Sequence, residues 1–204
     1  MFVIGLTGSI GSGKTEAANA LASKGAQIID ADQEAHNLYP PGSDVLKSLV
    51  KIAGEEILSK DGSINRSLLG KALVENSDVM EQINSVLHPL IREKIQHKIN
   101  VLRDSHAGTL VIQVPLLFQA KWEDLFDEIW AIETPENLTL ERLIKNRGFD
   151  VQKAENWIKA QGNAKTFTEK ADVIIENKGS LSEFKASIDK TWVQRRLHRG
   201  QNDK

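Results

Sequence analysis

The segment from residue 8 to residue 15 reads GSIGSGKT and matches the pattern G-x-x-x-x-G-K-[ST] at every position. The apolar run from Phe2 to Leu6 precedes it, and helix-forming residues from Lys14 to Lys24 follow it. A strand, a glycine-rich loop and a helix in this order predict a P-loop, whose backbone N–H groups turn inward and bind phosphate. The chain is therefore expected to be an α/β protein with a P-loop NTPase-like parallel sheet flanked by helices.

Each residue type in this loop has a chemical reason. The glycines permit backbone angles and a close approach that a Cβ would block. We expect Lys14 to reach the β- and γ-phosphates of ATP and the Thr15 hydroxyl to ligate Mg²⁺. Glu16 departs from many small-molecule kinases, which have a second hydroxyl residue there; it either repels the phosphates or points away from them. The predicted nucleotide-binding residues are Gly8, Gly11, Ser12, Gly13, Lys14, Thr15 and Glu16.

The remaining pattern predicts further strands with a helical segment between them. After a second strand, residues 33–107 contain several helical stretches and no convincing strand, which indicates a helical insertion. The long helix predicted from Ser77 to Arg103 is expected to be interrupted at His88-Pro89, where the proline should kink it. The other predicted strands are Ala26–Ile29, Thr109–Val114, Glu128–Ile132 and Ala171–Ile175.

Capping residues predict where several helices begin and end. Thr134-Pro135 is typical of an N-cap followed by proline at the first helical position. Gly148 is expected to end that helix. Ser180 and Glu183 have the spacing of a capping box, which predicts the start of the last helix.

Asp30 and Asp32 follow the second predicted strand. If the backbone is extended there, both carboxylates point to the same side, and Ala31 points to the other. Ligands of open α/β folds lie at this carboxyl edge of the sheet. In phosphoryl transfer, a carboxylate accepts the proton of the acceptor hydroxyl. We assign this role to Asp32, while Asp30 holds Mg²⁺ through water or positions its neighbour.

Composition excludes several other classes. The 204-residue chain has a net charge of −2, which gives no bulk positive field for nucleic acid or a membrane surface. It contains no cysteine, so disulfides, thiolate metal sites and cysteine nucleophiles are excluded, and a reducing cytoplasm is the expected location. The first residues read as a buried strand rather than a signal peptide, and no apolar run is long enough to span a membrane.

Several motifs occur together in a characteristic order: GLTGSIGSGKT, IIDAD, LHPLI, VPLLF, ERL and ADVIIEN. In this combination the chain resembles the dephospho-CoA kinase family from about Val3 to about Gly179. The resemblance implies transfer of the γ-phosphoryl group of ATP to the ribose 3′-hydroxyl of dephospho-CoA, with Mg²⁺. We expect one kinase domain of residues 1–204, acting as a monomer or weak homo-oligomer.

The resemblance assigns roles along that domain. The core is expected at about 1–32, 108–134 and 171–200, the acceptor-binding insertion at about 33–107, and a lid at about 135–170. Asp32 matches the general base, and Arg142 matches the lid arginine that contacts ATP phosphates. The expected catalytic residues are Asp32, Lys14 and Arg142.

Besides Glu16, three positions depart from the family pattern. Gln119 stands where glutamate is usual, so a charge role there is lost. After Gln161, the segment Gly162-Asn163-Ala164-Lys165 offers lysine where the family has a lid arginine, and lysine cannot reproduce a bidentate fork. Arg147 is a possible substitute. Asp172-Val173 replaces the usual paired aspartate.

Two residues and two functions remain open at this level. His88 either contacts the acceptor or shapes the helix. Arg92 lies one turn later and either meets the acceptor's pyrophosphate or is a solvated residue. The expected substrate-binding residues are Asp30, Asp32, His88 and Arg92. The alternative functions are another small-molecule kinase, such as a nucleoside monophosphate kinase, and a nucleotide-dependent switch or assembly ATPase.

Overall fold

A computed structural model describes residues 1–105, 108–161 and 164–202. The described residues contain a five-stranded sheet in the order β2-β3-β1-β4-β5, with β1 parallel to β3 and β4, and β4 parallel to β5. Helices flank the sheet, which confirms the predicted fold class. The strands are β1 (Phe2–Gly8), β2 (Gln27–Asp30), β3 (Thr109–Gln113), β4 (Glu128–Glu133) and β5 (Val173–Glu176).

Helices account for most of the remaining described residues. Short 3₁₀ turns occur at Glu55–Ile57 and Glu123–Leu125. The α-helices are α1 (Lys14–Ala22), α2 (Ala31–His36), α3 (Asp44–Ala53), α4 (Arg66–Glu75), α5 (Ser77–Ser105), α6 (Glu136–Arg147), α7 (Val151–Gln161), α8 (Ala164–Thr168) and α9 (Leu181–Asn202).

The described chain divides into two compact units. The first unit comprises Met1–Ile29 and Arg103–Lys204 and contains β1, β3, β4 and β5, the first three residues of β2 and the glycine-rich loop. The second unit, Asp30–Leu102, contains the last residue of β2, helices α2 to α4, most of α5 and the 3₁₀ turn at Glu55–Ile57. An isolated antiparallel bridge joins Leu58 to Ile64 within this otherwise helical segment.

Apolar side chains of the central strands and of α1 and α9 form the core of the first unit. Its buried members include Ile4, Leu6, Leu21, Trp130 and Trp192. The four tryptophans are packing residues: Trp122, Trp130 and Trp192 are buried, and Trp157 packs on the cluster of Ile10, Leu143 and Ala154. This packing holds β1 and α1 in place, and therefore also the loop between them.

Aspartates that precede two strands fix the starts of the strands beside them. The Asp127 carboxylate accepts a hydrogen bond from the Val3 amide at 2.7 Å, and its own amide donates to the Val3 carbonyl at 2.9 Å. Asp172 makes the same pair of contacts with Ile129, also at 2.7 and 2.9 Å. Asp172, noted above for its unusual neighbour, thus has a structural role in the sheet.

Most predicted helix boundaries agree with the structure, and two features differ. Gly148 ends α6 with a left-handed backbone, and Ser180 and Glu183 form the predicted capping box before α9. The helix α5 continues through Pro89 instead of being interrupted there. The prediction of Thr134 as an N-cap is wrong, because Pro135 occupies the cap position of α6 and the threonine side chain makes a different contact.

Candidate active site

The glycine-rich loop has the bent backbone that a phosphate nest requires. Gly8, Gly11 and Gly13 have φ values of 142°, 73° and 101°, a region in which other residues are strained. At Gly8, an added Cβ would lie 2.5 Å from the Ile132 carbonyl oxygen, so the close approach of β1 to β4 also demands glycine. The loop ends at α1, whose N-terminus favours negative charge.

Lys14 and the two following residues occupy the first turn of α1. The Lys14 ammonium donates to the carbonyl oxygens of Gly8 at 2.7 Å and Ser9 at 2.8 Å, and these bonds hold the side chain over the loop. Thr15 and Glu16 are exposed. A carboxylate in the first turn of a helix interacts favourably with the helix dipole, which gives Glu16 a role that needs no phosphate contact.

Three side chains from other segments converge on the base of the loop. The Ser12 carbonyl accepts hydrogen bonds from Asn177 Nδ2 at 2.7 Å and Thr134 Oγ1 at 3.1 Å. The Arg142 guanidinium donates to Asn177 Oδ1 at 3.1 Å and to the Asn177 carbonyl at 3.2 Å. The structure thus places Arg142 beside the loop, as one member of a buried polar network.

A second contact to the loop is made at Ile10. Gln161, at the end of α7, accepts a hydrogen bond from the Ile10 amide at 2.7 Å. Gln119 Nε2 in turn donates to the Gln161 carbonyl at 3.0 Å. The glutamine at position 119 therefore supplies a donor, which a glutamate would lack. Gly162 and Asn163, part of the altered lid sequence, lie outside the described residues; Arg147 is exposed at the end of α6.

In the second unit, the two aspartates are not arranged as the sequence suggested. Asp30 is the N-cap of α2, and its Oδ1 accepts hydrogen bonds from the amides of Asp32 at 2.9 Å and Gln33 at 3.2 Å. The expectation of extended backbone from Asp30 to Asp32 is wrong, because Asp32 already lies in the first helical turn. Asp32 is exposed, whereas the Asp30 carboxylate has a capping function.

Charged and aromatic residues surround α2. Burial raises the pKa of Tyr39, the nearby Arg66 opposes that rise, and the Asp32 carboxylate adds to it. The Tyr39 ring also meets His36 edge to face, with a centroid distance of 5.5 Å. Asp32 therefore shares its surroundings with a phenol and a guanidinium that sequence reasoning did not identify.

Helix α2 is fastened to α5 by a buried carboxylate. Glu34 is 8 % exposed and pairs with Lys98 at 2.6 Å and Lys94 at 3.2 Å. Burial alone would raise the pKa of Glu34, but hydrogen bonds and charges from Lys98 and Lys94 outweigh it and lower the pKa. The ionised carboxylate thus joins two lysines of α5 to the helix that carries Asp32.

His88 and Arg92 are half-buried and lie one turn apart on α5. Burial lowers the pKa of His88 below its ordinary value. At neutral pH the imidazole is therefore uncharged and is suited to hydrogen bonding rather than to ion pairing with an anion. The structure places His88, Arg92, Asp30 and Asp32 in the second unit, and the phosphate loop with Arg142 in the first.

Sequence reasoning missed Asn177, Thr134 as a loop contact, Gln161, Tyr39 and Arg66. Asn177 carried one available signal, since it follows a predicted strand at the sheet edge where ligands bind. The contact between Gln161 and Ile10 had no such signal in the sequence, because 151 residues separate the two.

Neither a metal cage nor a membrane span is found in the described parts of the chain. There, no three His, Cys, Asp or Glu side chains are grouped so that they could hold an ion. Magnesium ions in nucleotide sites commonly take most of their ligands from phosphates and water. The exposed Thr15 hydroxyl fits one remaining position. None of the helices in the described ranges is both long and apolar enough to cross a bilayer.

Comparison with known proteins identifies the relatives of this chain. A protein from Carboxydothermus hydrogenoformans named dephospho-CoA kinase is 38 % identical over 186 residues, which cover 91 % of this chain and 90 % of the relative. A solved structure of dephospho-CoA kinase from Campylobacter jejuni superposes with a TM-score of 0.68 at 26 % identity, covering 98 % of both chains. Shikimate kinase from Acinetobacter baumannii shares the fold, with a TM-score of 0.56 at 17 % identity over 97 % of this chain and 96 % of that one.

A family model supplies the final comparison. The model of dephospho-CoA kinase matches residues 2–183, which is nearly the whole chain. Together with the identities above, the match separates this chain from nucleoside monophosphate kinases and from switch or assembly ATPases. The chain therefore belongs to the dephospho-CoA kinase family, whose members catalyse the final step of coenzyme A biosynthesis.

Proposed function

We propose that the chain transfers the γ-phosphoryl group of ATP to the ribose 3′-hydroxyl of dephospho-CoA. The observation that carries this proposal is the phosphate loop with Arg142 held at its base by Asn177. A loop of this kind binds polyphosphate, and the family match supplies the acceptor. Mg²⁺, held through Thr15 and the nucleotide, would neutralise phosphate charge.

The loop amides and Lys14 bind and orient the phosphates. The Lys14 ammonium has three donors, and two of them contact Gly8 and Ser9, which fixes the direction of the side chain. The guanidinium of Arg142 has five N–H donors, so its contacts with Asn177 and Thr134 leave donors for a phosphate oxygen. Both residues thereby stabilise the charge that spreads over the transferring group.

Asp32 accepts the proton of the acceptor hydroxyl in this proposal. Its exposed position in the first turn of α2 leaves its carboxylate accessible to a substrate. Asp30 contributes indirectly, because its cap fixes the turn that presents Asp32. Of the two possibilities considered above for Asp30, this proposal adopts the positioning of its neighbour.

The second unit, Asp30–Leu102, is proposed to bind the acceptor, and residues 135–170 are proposed to act as a lid. Neutral His88 would hydrogen bond the acceptor, and Arg92 would meet its pyrophosphate. These roles rest on the chemistry of the side chains and on family resemblance. The cytoplasmic location and the monomeric or weakly associated state stay predictions.

A coupled assay of ADP release tests the proposed function. The protein is supplied with ATP and Mg²⁺, and with dephospho-CoA, AMP, CMP or no acceptor. We expect release only with dephospho-CoA, and mass spectrometry of the product should show one added phosphate. Release with AMP or CMP while dephospho-CoA stays inert would overturn the proposed acceptor, and acceptor-independent release would indicate an ATPase.

A further inference from the structure

We propose that Asn177 is a positioning residue that sets the shape of the phosphate loop and the direction of Arg142 at the same time. Asn177 directly follows β5 and is 6 % exposed. It has no assigned role in the chemistry above. The inference rests on the proposed use of the loop for ATP, and it concerns how this chain makes the loop competent to bind.

The peptide group between Ser12 and Gly13 links Asn177 to the inner side of the loop. When loop amides turn inward toward an anion, the carbonyl oxygens of the same peptide groups turn outward. The outward carbonyl of the fully buried Ser12 must then find donors within the protein. Asn177 and Thr134 supply them. Because a peptide group is planar, holding the Ser12 oxygen from outside directs the Gly13 N–H to the inner side of the loop.

The side chain of Asn177 also fills the space beside Gly13. A Cβ added at Gly13 would lie 2.4 Å from Asn177 Nδ2, so the amide sits directly against the loop backbone. Gly13 also has a φ of 101°, which by itself requires glycine. The asparagine side chain therefore occupies the space that glycine leaves free, and any shift of it displaces the loop.

The oxygen of the same Asn177 amide contacts Arg142. Asn177 Oδ1 accepts from Arg142 at 3.1 Å, while its Nδ2 donates to the loop at 2.7 Å. A guanidinium only donates and a carbonyl only accepts, so these partners fix the orientation of the amide. The Asn177 backbone amide donates to the Glu133 carbonyl at 2.7 Å, which ties the residue to the sheet edge. A single side chain thus aligns the loop and the arginine relative to each other.

Asparagine can be replaced by aspartate in a way that separates these two functions. Aspartate is almost the same size and keeps the acceptor for Arg142, but it has no donor for the Ser12 carbonyl. In Asn177→Asp we expect the KM for ATP and the Kd for Mg²⁺·ATP to rise about tenfold, as for one lost hydrogen bond to a buried group. The KM for dephospho-CoA should change by less than about twofold, since this contact lies on the nucleotide side.

Amide hydrogen exchange without nucleotide provides a readout that does not depend on activity. In Asn177→Asp, amides of residues 11–14 should exchange faster, while those of α9 should keep the wild-type rate. A loss of general stability would accelerate exchange in both regions. The two patterns therefore distinguish a positioning role from a structural one.

Matched variants complete the experiment. Thr134→Val removes the second donor to the Ser12 carbonyl and should weaken ATP binding, as Asn177→Asp does. Thr134→Ser keeps the hydroxyl and should bind ATP as tightly as the wild-type protein. Asn76→Asp is the control for the amide, because Asn76 accepts bonds from Asp78 and Val79 and aspartate can do the same. Thr191→Val is the control for the hydroxyl, because the Thr191 hydroxyl donates to the Ser187 carbonyl within α9, away from the loop.

Two results would overturn the inference. One is unchanged ATP affinity and loop exchange in both Asn177→Asp and Thr134→Val. The other is a lower melting temperature and kcat with loop exchange no faster than that of α9. If the wild-type protein does not phosphorylate dephospho-CoA, the proposed function fails, while the Mg²⁺·ATP titration and the exchange data still decide the role of Asn177.

Discussion

The phosphate loop and the first turn of helix α2 carry the two sides of the proposed chemistry, but different kinds of contact set their geometry. The Ser12 carbonyl and the Ile10 amide are bonded to side chains 165, 122 and 151 residues away in sequence. Asp30 instead bonds to amides two and three residues later. The loop geometry is therefore a property of the whole first unit, whereas the turn that presents Asp32 is set by local sequence. Substitutions should separate these two cases.

The largest effect is expected on kcat when Asp32, in the first turn of α2, is replaced. We expect Asp32→Asn to lower kcat by about 10²- to 10⁴-fold, the usual contribution of a general base, with little change in ATP affinity. Asp30→Asn is the matched control, because asparagine caps a helix as well as aspartate does. Steady-state kinetics on both variants measures this difference. Equal turnover in Asp32→Asn and the wild-type protein would remove Asp32 from proton transfer.

Replacement of Arg142 tests the contacts at the base of the phosphate loop. Arg142→Lys keeps a positive charge but cannot contact Asn177 and a phosphate oxygen through one planar fork. We expect kcat/KM to fall about a hundredfold, as for other lost charge-stabilising donors. Arg147→Lys, at the exposed end of α6, should change little. If Arg147→Lys has the larger effect, then Arg147 has taken over the lid role.

Glu34 tests how firmly α2 is attached to α5. Glu34→Gln removes the charge that pairs with Lys98 and Lys94, and we expect the free energy of unfolding to fall by about 2 kcal/mol. Urea denaturation at pH 7 measures this loss. The exposed Glu93→Gln is the control and should have a negligible effect.

The ion pairs of Glu34 with Lys98 and Lys94 also predict that the free energy of unfolding depends on pH. The pKa of Glu34 is lower in the folded protein than in the unfolded chain. The ionised carboxylate therefore stabilises the fold fully above the unfolded pKa of about 4.3, and this stabilisation is lost as the pH falls through the folded pKa. The stability difference between the wild-type protein and Glu34→Gln should therefore narrow in acid. A difference that stays constant down to pH 3 would contradict the ion pair.

The smallest effect is expected at the local cap. Asp30→Ala should destabilise the protein by about 1 kcal/mol through loss of the N-cap, and Asp30→Asn by only a few tenths. Thermal or urea unfolding distinguishes them. An equal loss in both variants would indicate that the charge of Asp30, rather than its capping oxygen, matters.

The sequence predicted those features whose cause is local. The glycine-rich loop, the end of α6 at Gly148 and the capping box at Ser180 each depend on residues a few positions apart. The prediction for Thr134 was wrong because its hydroxyl donates to the buried Ser12 carbonyl, 122 residues away, instead of capping α6. Asp30 was misread because an aspartate after a strand can begin a helix at once. The contacts of Asn177 and Gln161 arise only when distant strands and helices come together.

Asp127 and Asp172 give the sheet one further property. Each carboxylate accepts a hydrogen bond from the amide of the second residue of a neighbouring strand, so the alignment of β1 with β4, and of β4 with β5, is fixed at the edge where the chain enters the sheet. The phosphate loop leaves from the opposite edge, after the carboxyl end of β1. We therefore expect substitutions in that loop to leave the alignment of the strands unchanged.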